Sequence, residues 1–342
     1  MHPDIYNEKL IGEIEKLVTE CGGNPATFQG DLVVQLIQTS LRFLWEGHDL
    51  GQLKLISRAM KEMRYAYRIF NRYEGIRRVS IFGSARTPEG HLDYQMAKRF
   101  SSEMAALGWM CITGAANGIM RAGLEGAQRQ SGFGLSIKLP FEAEEEHFLE
   151  GDPKLISFKY FFTRKLMFMS HSDAVAAFPG GVGTMDELFE VLTLLQTGKA
   201  NIIPIILMEG DPKAQYWHNW EEYLDTQLLA KGWISPEDKN FYHIAKTVED
   251  GVEHIQKFYR NYHSSRYVKD DLVIRLHRPL SPQKIDQLNA QFARLFKQGK
   301  LESCNPFPEE RDHLELPRLK FCHTRKDFGL LRALIDAING TV

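Results

Sequence analysis

Three glycine-bearing turns, each placed where a strand-like run gives way to a helical one, constrain this chain more than any other feature. They are FGSAR (Phe82 to Arg86), TGAANGIM (Thr113 to Met120) and PGGVGTMDE (Pro179 to Glu187). The runs before them, IRRVSIFG, WMCITG and DAVAAFP, are short and apolar, as buried strands are. LDYQMAKRFSSEMAALG, NGIMRAGLEGAQRQ and GTMDELFEVLTLLQTG carry helical spacing, and the first should stop at Gly108. GLSIKLP and IIPIILM read as further strands, and ISFKYF as a possible one before the helix TRKLMFMSHS. HNWEEYLDTQLLAKG follows as another helix. Strands separated by single helices make βαβ units with right-handed crossovers. The expectation for residues 75–262 is therefore a doubly wound α/β domain with a mostly parallel sheet.

The flanks differ. Residues 1–74 read as three or four helices capping the larger domain, with DLVVQLIQTSLRFL and LKLISRAMKEMRYAYRIF periodic and breaks at Gly22, Gly23, Pro25 and Gly47. Residues 263–342 read as a small α+β appendage. DLVIRLHR and LPRLKFCH are strand-like, DFGLLRALIDAIN is a closing helix, and SPQKIDQLNAQFARLFKQG is a helix with Ser281 as N-cap and Gly299 as stop. A chain of 342 residues has room for two or three such parts. At 43% hydrophobic and 25% charged residues it is not disordered, and a net charge of −2 argues against a general nucleic-acid face. IIPIILM is far shorter than the ~20 apolar residues of a membrane span, and MHPDIYNEKL has no leader pattern. Cys21, Cys111, Cys304 and Cys322 form no CxxC pair and read as reduced thiols of a cytoplasmic protein. The histidines show no metal-binding spacing.

Ligands of open parallel sheets sit beyond the carboxyl ends of the strands, where all three glycine turns fall. Glycine lets backbone N–H groups approach an anion, and the following helix adds partial positive charge, so a phosphate is the natural guest. The third turn is the most specific. It crowds Gly180, Gly181 and Gly183 in front of Thr184, Asp186 and Glu187. A capping box would explain Thr184 and Glu187 without chemistry, but not the glycines before them. Glu190 shares a helical face with Glu187 and reads as a structural neighbour.

PGGVGTMDE resembles the PGGxGTxxE signature of the Lonely Guy family, once misnamed lysine decarboxylases, and Arg164–Lys165 in FFTRKLMFM resembles its Arg-Lys pair. FGSAR and TGAANGIM match the two earlier nucleotide-binding turns in position, and the likeness runs from about Ile76 to Ile255. GDPKLISFKYFFTRK, EVLTLLQTGK, YW and ISPED resemble a larger bacterial branch with extensions at both ends. The resemblance implies a Rossmann-like fold and a nucleoside 5′-monophosphate phosphoribohydrolase, which splits the N-glycosidic bond of AMP or a cytokinin riboside monophosphate into free base and ribose 5-phosphate. It implies no metal, no redox cofactor, and a homodimer or larger homo-oligomer. A carboxylate suits the oxocarbenium-like transition state, which nominates Glu187, oriented by Arg164. Gly180, Gly181, Gly183 and Thr184 would take the phosphate, with Gly83, Ser84, Gly114 and Gly118 lining the other two turns and Arg86 possibly closing the first. Asp186, Lys165 and Arg121 would support, Lys165 as an exposed charge. Phe161, Phe162 and Met167 could face the base, although core packing is the preferred reading.

The second turn departs from the family. Ala115, Ala116 and Asn117 stand where glycines are usual, and Arg121 replaces a frequent glutamate. A nucleotide-binding regulatory protein of the same fold is therefore the alternative. A pyridoxal-phosphate decarboxylase is discounted, because Lys165 beside Arg164 is a poor Schiff-base setting. A dinucleotide dehydrogenase is discounted because the first turn lacks GxGxxG.

Overall fold

The computed structural model describes residues 8–138 and 148–340. The first seven residues, read above for a leader, and Leu139 and Pro140 of the GLSIKLP run lie outside the described residues. By compactness the chain divides into Met1–Tyr65 and Ala66–Val342. The first unit holds α1 (Glu8–Glu20), α2 (Phe28–Arg42) and most of α3 (Leu50–Phe70). Ile14 and Val18 pack on Val34, and the Thr27 side chain caps α2 by accepting from the Gly30 N–H.

The second unit is built on a seven-stranded sheet. In chain order its elements are β1 (Arg78–Phe82), α4 (Leu92–Ala106), β2 (Met110–Thr113), α5 (Ile119–Ser131), β3 (Gly132–Ile137), β4 (Leu155–Phe158) and α6 (Phe161–His171). Then follow β5 (Ala174–Ala177), α7 (Val182–Gln196), β6 (Ile205–Met208), α8 (Tyr216–Tyr223), β7 (Tyr242–Ala245) and α9 (Val248–Phe258). The strand order is β4-β3-β2-β1-β5-β6-β7, and each neighbouring pair is parallel. Alternation along β1 shows the double winding. Val79 and Ile81 point into a core with Phe100 and Met104 of α4 and Val252 and Ile255 of α9. Ser80 and Phe82 face the other layer, where Phe82 meets Phe168 of α6 edge to face at 5.1 Å. This is the Rossmann-like α/β fold the turns imply. The sequence reading left β7 and α9 unassigned.

In the tail, β8 (Tyr262–Val268), β9 (Asp271–Leu276), α10 (Pro282–Gln291), β10 (Phe296–Cys304), β11 (Arg318–His323) and α11 (Phe328–Asn339) form a four-stranded antiparallel sheet, ordered β10-β11-β9-β8, with two helices. Ser281 caps α10 as expected. The helix expected to run on to Gly299 instead stops at Gln291, and FKQGKLESC is an edge strand. Gly299, at φ +71°, lies where the β10–β11 register shifts, so it marks a bulge and not a helix stop. Buried Asn339 fastens the end of α11 to the start of β8, its Oδ1 accepting from the N–H groups of Asn261 and Tyr262 at 2.9 and 2.8 Å.

Gly118 tests how the turns are held. Its φ is +62°, and a Cβ there would collide with the backbone of Ser84 and Ala85. Gly181 has an ordinary φ of −87° and open space about it. Gly118→Ala is expected to cost more than ~1 kcal/mol of unfolding free energy in denaturant titrations, and Gly181→Ala less than ~0.5 kcal/mol.

Candidate active site

The sheet order reverses between β1 and β5, so the connections leaving these neighbouring strands diverge and open a crevice at their carboxyl ends. The first and third turns line it. Backbone hydrogen bonds carry the sheet's ladder into them: Phe178 N–H donates to the Phe82 carbonyl at 2.8 Å, and Ser84 N–H to the Pro179 carbonyl at 3.1 Å. Ile119 N–H then donates to the Ser84 carbonyl at 3.0 Å, which ties in the second turn. Gly83 is required because a Cβ would press on the Ile119 side chain at 2.6 Å. Gly180 is required because a Cβ would strike the Thr184 hydroxyl and come within 3.0 Å of Ser84 N. Gly114 lies beside Met120, and a Cβ on it would be 3.7 Å from Arg164 Nη1.

The capping box is absent. Gly181 is the N-cap of α7 with no side-chain cap, which places Thr184 and Glu187 inside the helix, both buried. The first intrahelical bond of α7 runs from the Thr184 N–H to the Gly181 carbonyl at 3.1 Å, so the N–H groups before it are the helix's spare donors, and Gly181, Val182 and Gly183 are exposed, Val182 to 87%. Open space surrounds the Cβ positions of Gly181 and Gly183, so no neighbour in the fold demands glycine at either.

Glu187, 8% exposed, faces α6. Its oxygens lie 3.7 Å from Arg164 Nη2 and 3.8 Å from Lys165 Nζ, beyond hydrogen-bond reach. Burial pushes its carboxyl up from the ordinary value; Lys165 and Arg164 oppose the shift, and Glu190 and Asp186 add to it. Burial lowers the Arg164 guanidinium, opposed by Glu187, but arginine stays charged. Arg164 is set by its ring contacts, 5.0 Å from the Phe161 centroid and 5.8 Å from that of Phe168. Its Nε is buried without a partner among the described residues.

Lys165 is not an exposed charge. It is largely buried, and its Nζ lies 2.8 Å from both Asp186 and Glu190. Burial pulls the ammonium down, but these two bonds outweigh it and leave its pKa raised. Core packing holds for Met167, which is fully buried, and fails for Phe161 and Phe162, which are 50% and 52% exposed. Arg121 turns to Glu125, one helical turn on, at 3.1 Å. Ala115 takes the left-handed conformation, φ +57°, and its methyl packs with Leu124 and Leu149. Ser84 Oγ accepts from the Arg86 N–H at 3.1 Å. Sequence reasoning missed Tyr216, whose hydroxyl donates to the Gly180 carbonyl at 2.6 Å. Its signal in the sequence is the YW pair, Tyr216–Trp217.

Residues 116–255 match the family model described as "possible lysine decarboxylase". Over its middle part the chain is similar to the Lonely Guy family. A cytokinin riboside 5′-monophosphate phosphoribohydrolase of Arabidopsis thaliana is 33% identical over 95 residues, 28% of this chain and 42% of that one. The enzyme of that name from Rhodococcoides fascians is 31% identical over 93 residues, 27% of this chain and 44% of that one. The chain thus matches less than half the length of these relatives. Among solved structures, a molybdenum cofactor binding protein of Rippkaea orientalis covers 54% of this chain and 97% of its own at 21% identity, with a TM-score of 0.38. A molybdenum cofactor carrier protein of Chlamydomonas reinhardtii covers 53% of this chain and 97% of its own at 19% identity, with the same TM-score of 0.38.

Among the described residues no group of three or more histidine, cysteine or carboxylate side chains could hold a metal, and no helix is long and apolar enough to cross a membrane. All four cysteines are free.

The raised Glu187 carboxyl has a measurable consequence. A folded-state pKa above the unfolded one means that ionisation costs stability as pH rises through the folded value. Below the ordinary value of 4.5 both states are mostly protonated and the cost vanishes. Glu187→Gln is expected to melt higher than wild type at alkaline pH, with the gap closing on acidification below about 4.5 in melts across a pH series.

Proposed function

We propose that the chain is a nucleoside 5′-monophosphate phosphoribohydrolase acting on AMP or a related monophosphate, possible cytokinin riboside monophosphates included. One observation carries the reading. A buried carboxylate, Glu187, stands in the second turn of a helix whose glycine-rich start opens on the crevice at the switch point, with Arg164 at its side. The 5′-phosphate would bind the opening N–H groups of α7, with Thr184, Ser84 and the first two turns around it. Glycine at 181 and 183, which no neighbour requires, suits backbone approach to that phosphate. The ribose would then lie over Glu187.

Cleavage of the N-glycosidic bond leaves positive charge on the ribosyl carbon and ring oxygen, and the base departs with the bonding pair. Glu187, ionised and in poor contact with water, would stabilise that charge and direct water to the carbon, while the Arg164 charge favours the ionised carboxylate. No metal or redox cofactor is needed for this hydrolysis. Exposed Phe161, Phe162, Leu166 and Val182 support a homodimer that covers this side of the site. The altered second turn does not by itself favour a binder without turnover, because the Ala115 methyl goes into the core.

Incubation of the full chain with AMP, GMP, CMP, UMP and isopentenyladenosine monophosphate, with free base followed by chromatography, tests the proposal. Base release is expected from at least one nucleotide. Glu187→Ala and Arg164→Ala are each expected to lower kcat/KM by more than ~10²-fold. Release that survives intact in Glu187→Ala would overturn the assignment of that residue, and no release from any nucleotide would overturn the function.

A further inference from the structure

The charges around Glu187 do not pair as their spacing suggests. Arg164 and Lys165 approach from α6, and Asp186 and Glu190 flank Glu187 on α7; burial raises its carboxyl most, and these four charges adjust it. Lys165 could bond any of the three carboxylates, and it bonds Asp186 and Glu190, not Glu187. The reason is helical geometry. Asp186 and Glu190 are four residues apart and lie one above the other, so an ammonium resting across α7 can engage both. Glu187 lies off that line, and its distance of 3.8 Å from the same nitrogen is about 1 Å beyond a charge-assisted hydrogen bond.

We propose that Asp186 and Glu190 are positioning residues that tether Lys165 away from Glu187, leaving the Glu187 oxygens for the sugar and water; this rests on the hydrolase reading above. Lysine has a flexible stem and three donors, so an untethered Lys165 would close on Glu187. The carboxylate would then be neutralised by its own protein and present less charge to the oxocarbenium-like state. Arg164 cannot substitute for the tether, because its contacts with Phe161 and Phe168 hold its guanidinium in place. The arrangement keeps two cations near enough to favour ionisation of Glu187 and too far to bond it.

The test compares wild type with Asp186→Asn, Glu190→Gln, the double variant and Lys165→Met, all in the full chain. It reads kcat/KM against pH with AMP as substrate, and the Glu187 carboxyl titration by carbon-13 NMR. In Glu190→Gln, and further in the double variant, the acid limb and the Glu187 titration are expected to move to lower pH, with plateau kcat down on the order of tenfold. In Lys165→Met both should move to higher pH. Lost repulsion from Asp186 and Glu190 would by itself lower the Glu187 titration, so the double variant is repeated in a Lys165→Met background, where no ammonium is left to close on Glu187; the fall is expected to be larger with Lys165 present than without it. The Asp186 side chain is 60% exposed, which provides a variant that folds if Glu190→Gln does not. A fall no larger with Lys165 present than in the Lys165→Met background, or no fall at all, overturns the proposal. If wild type releases no base from AMP or the other nucleotides, the hydrolase reading fails, and the NMR titration decides the tether alone: a fall larger with Lys165 than without it supports it, and an equal fall or none overturns it.

Discussion

The reversal of strand order between β1 and β5 is the constraint on which the candidate site depends. Two neighbouring strands send their chains away in opposite directions, and the crevice between them is a consequence of topology. What turns a crevice into a defined site is the backbone ladder that continues past the strand ends, from Phe178 to Phe82, Ser84 to Pro179 and Ile119 to Ser84. These bonds bring three turns, far apart in the chain, into contact through main-chain atoms. Turns at such close quarters leave no room for a Cβ at Gly83, Gly118 or Gly180, where it would meet the Ile119 side chain, the Ser84–Ala85 backbone and the Thr184 side chain. The glycines therefore divide into two kinds. Some are demanded by the fold; Gly181 and Gly183 have open space where a Cβ would stand.

A second constraint is electrostatic. Placing Glu187 and Arg164 where water is scarce penalises both charged forms, which shows in the upward pull on the carboxyl and the downward pull on the guanidinium. Each favours the other's charge, but neither oxygen of Glu187 is within hydrogen-bond distance of either cation. A stabilising ion pair would close that gap. The open spacing costs the fold something and leaves the carboxylate able to interact elsewhere, the pattern expected where function and stability compete.

Much of the architecture was legible because the parallel sheet writes itself plainly. Strands buried on both faces are continuous apolar runs, such as RVSIF of β1, and glycine turns follow them. The tail was harder. FARLFKQGKLESC continues the apolar spacing of α10 through Phe292 and Leu295 before becoming an edge strand that buries little besides Leu301. A one-sided edge strand with a bulge has no clean period of two, and nothing local marks where the helix stops. β7, YHIA, was missed because four residues of mixed polarity become a strand only by pairing with β6. At the site, residue types and faces were readable, so Arg164, Lys165, Asp186 and Glu187 come together as the spacing implies. Partner choice was not readable. Which carboxylate Lys165 selects depends on the offset of α6 against α7, a tertiary quantity that no local pattern encodes.

Unfilled polar capacity is the remaining link between this packing and its chemistry. Buried polar atoms in folded proteins nearly always find partners, and the exceptions call for a cause. Arg164 Nε is such an exception, held by flanking rings instead of an acceptor. Glu187, a few ångströms away, is the complementary case, an acceptor that its neighbouring cations approach without bonding. A donor and an acceptor, both desolvated and both kept from each other, would relax into a direct bond if α6 and α7 were free to shift. The ring contacts on one side and the bridge from Lys165 to Asp186 and Glu190 on the other prevent it. The two helices thus hold apart charges whose closest approach would serve the fold best, and under the proposed function that spare polar capacity would be turned to the substrate.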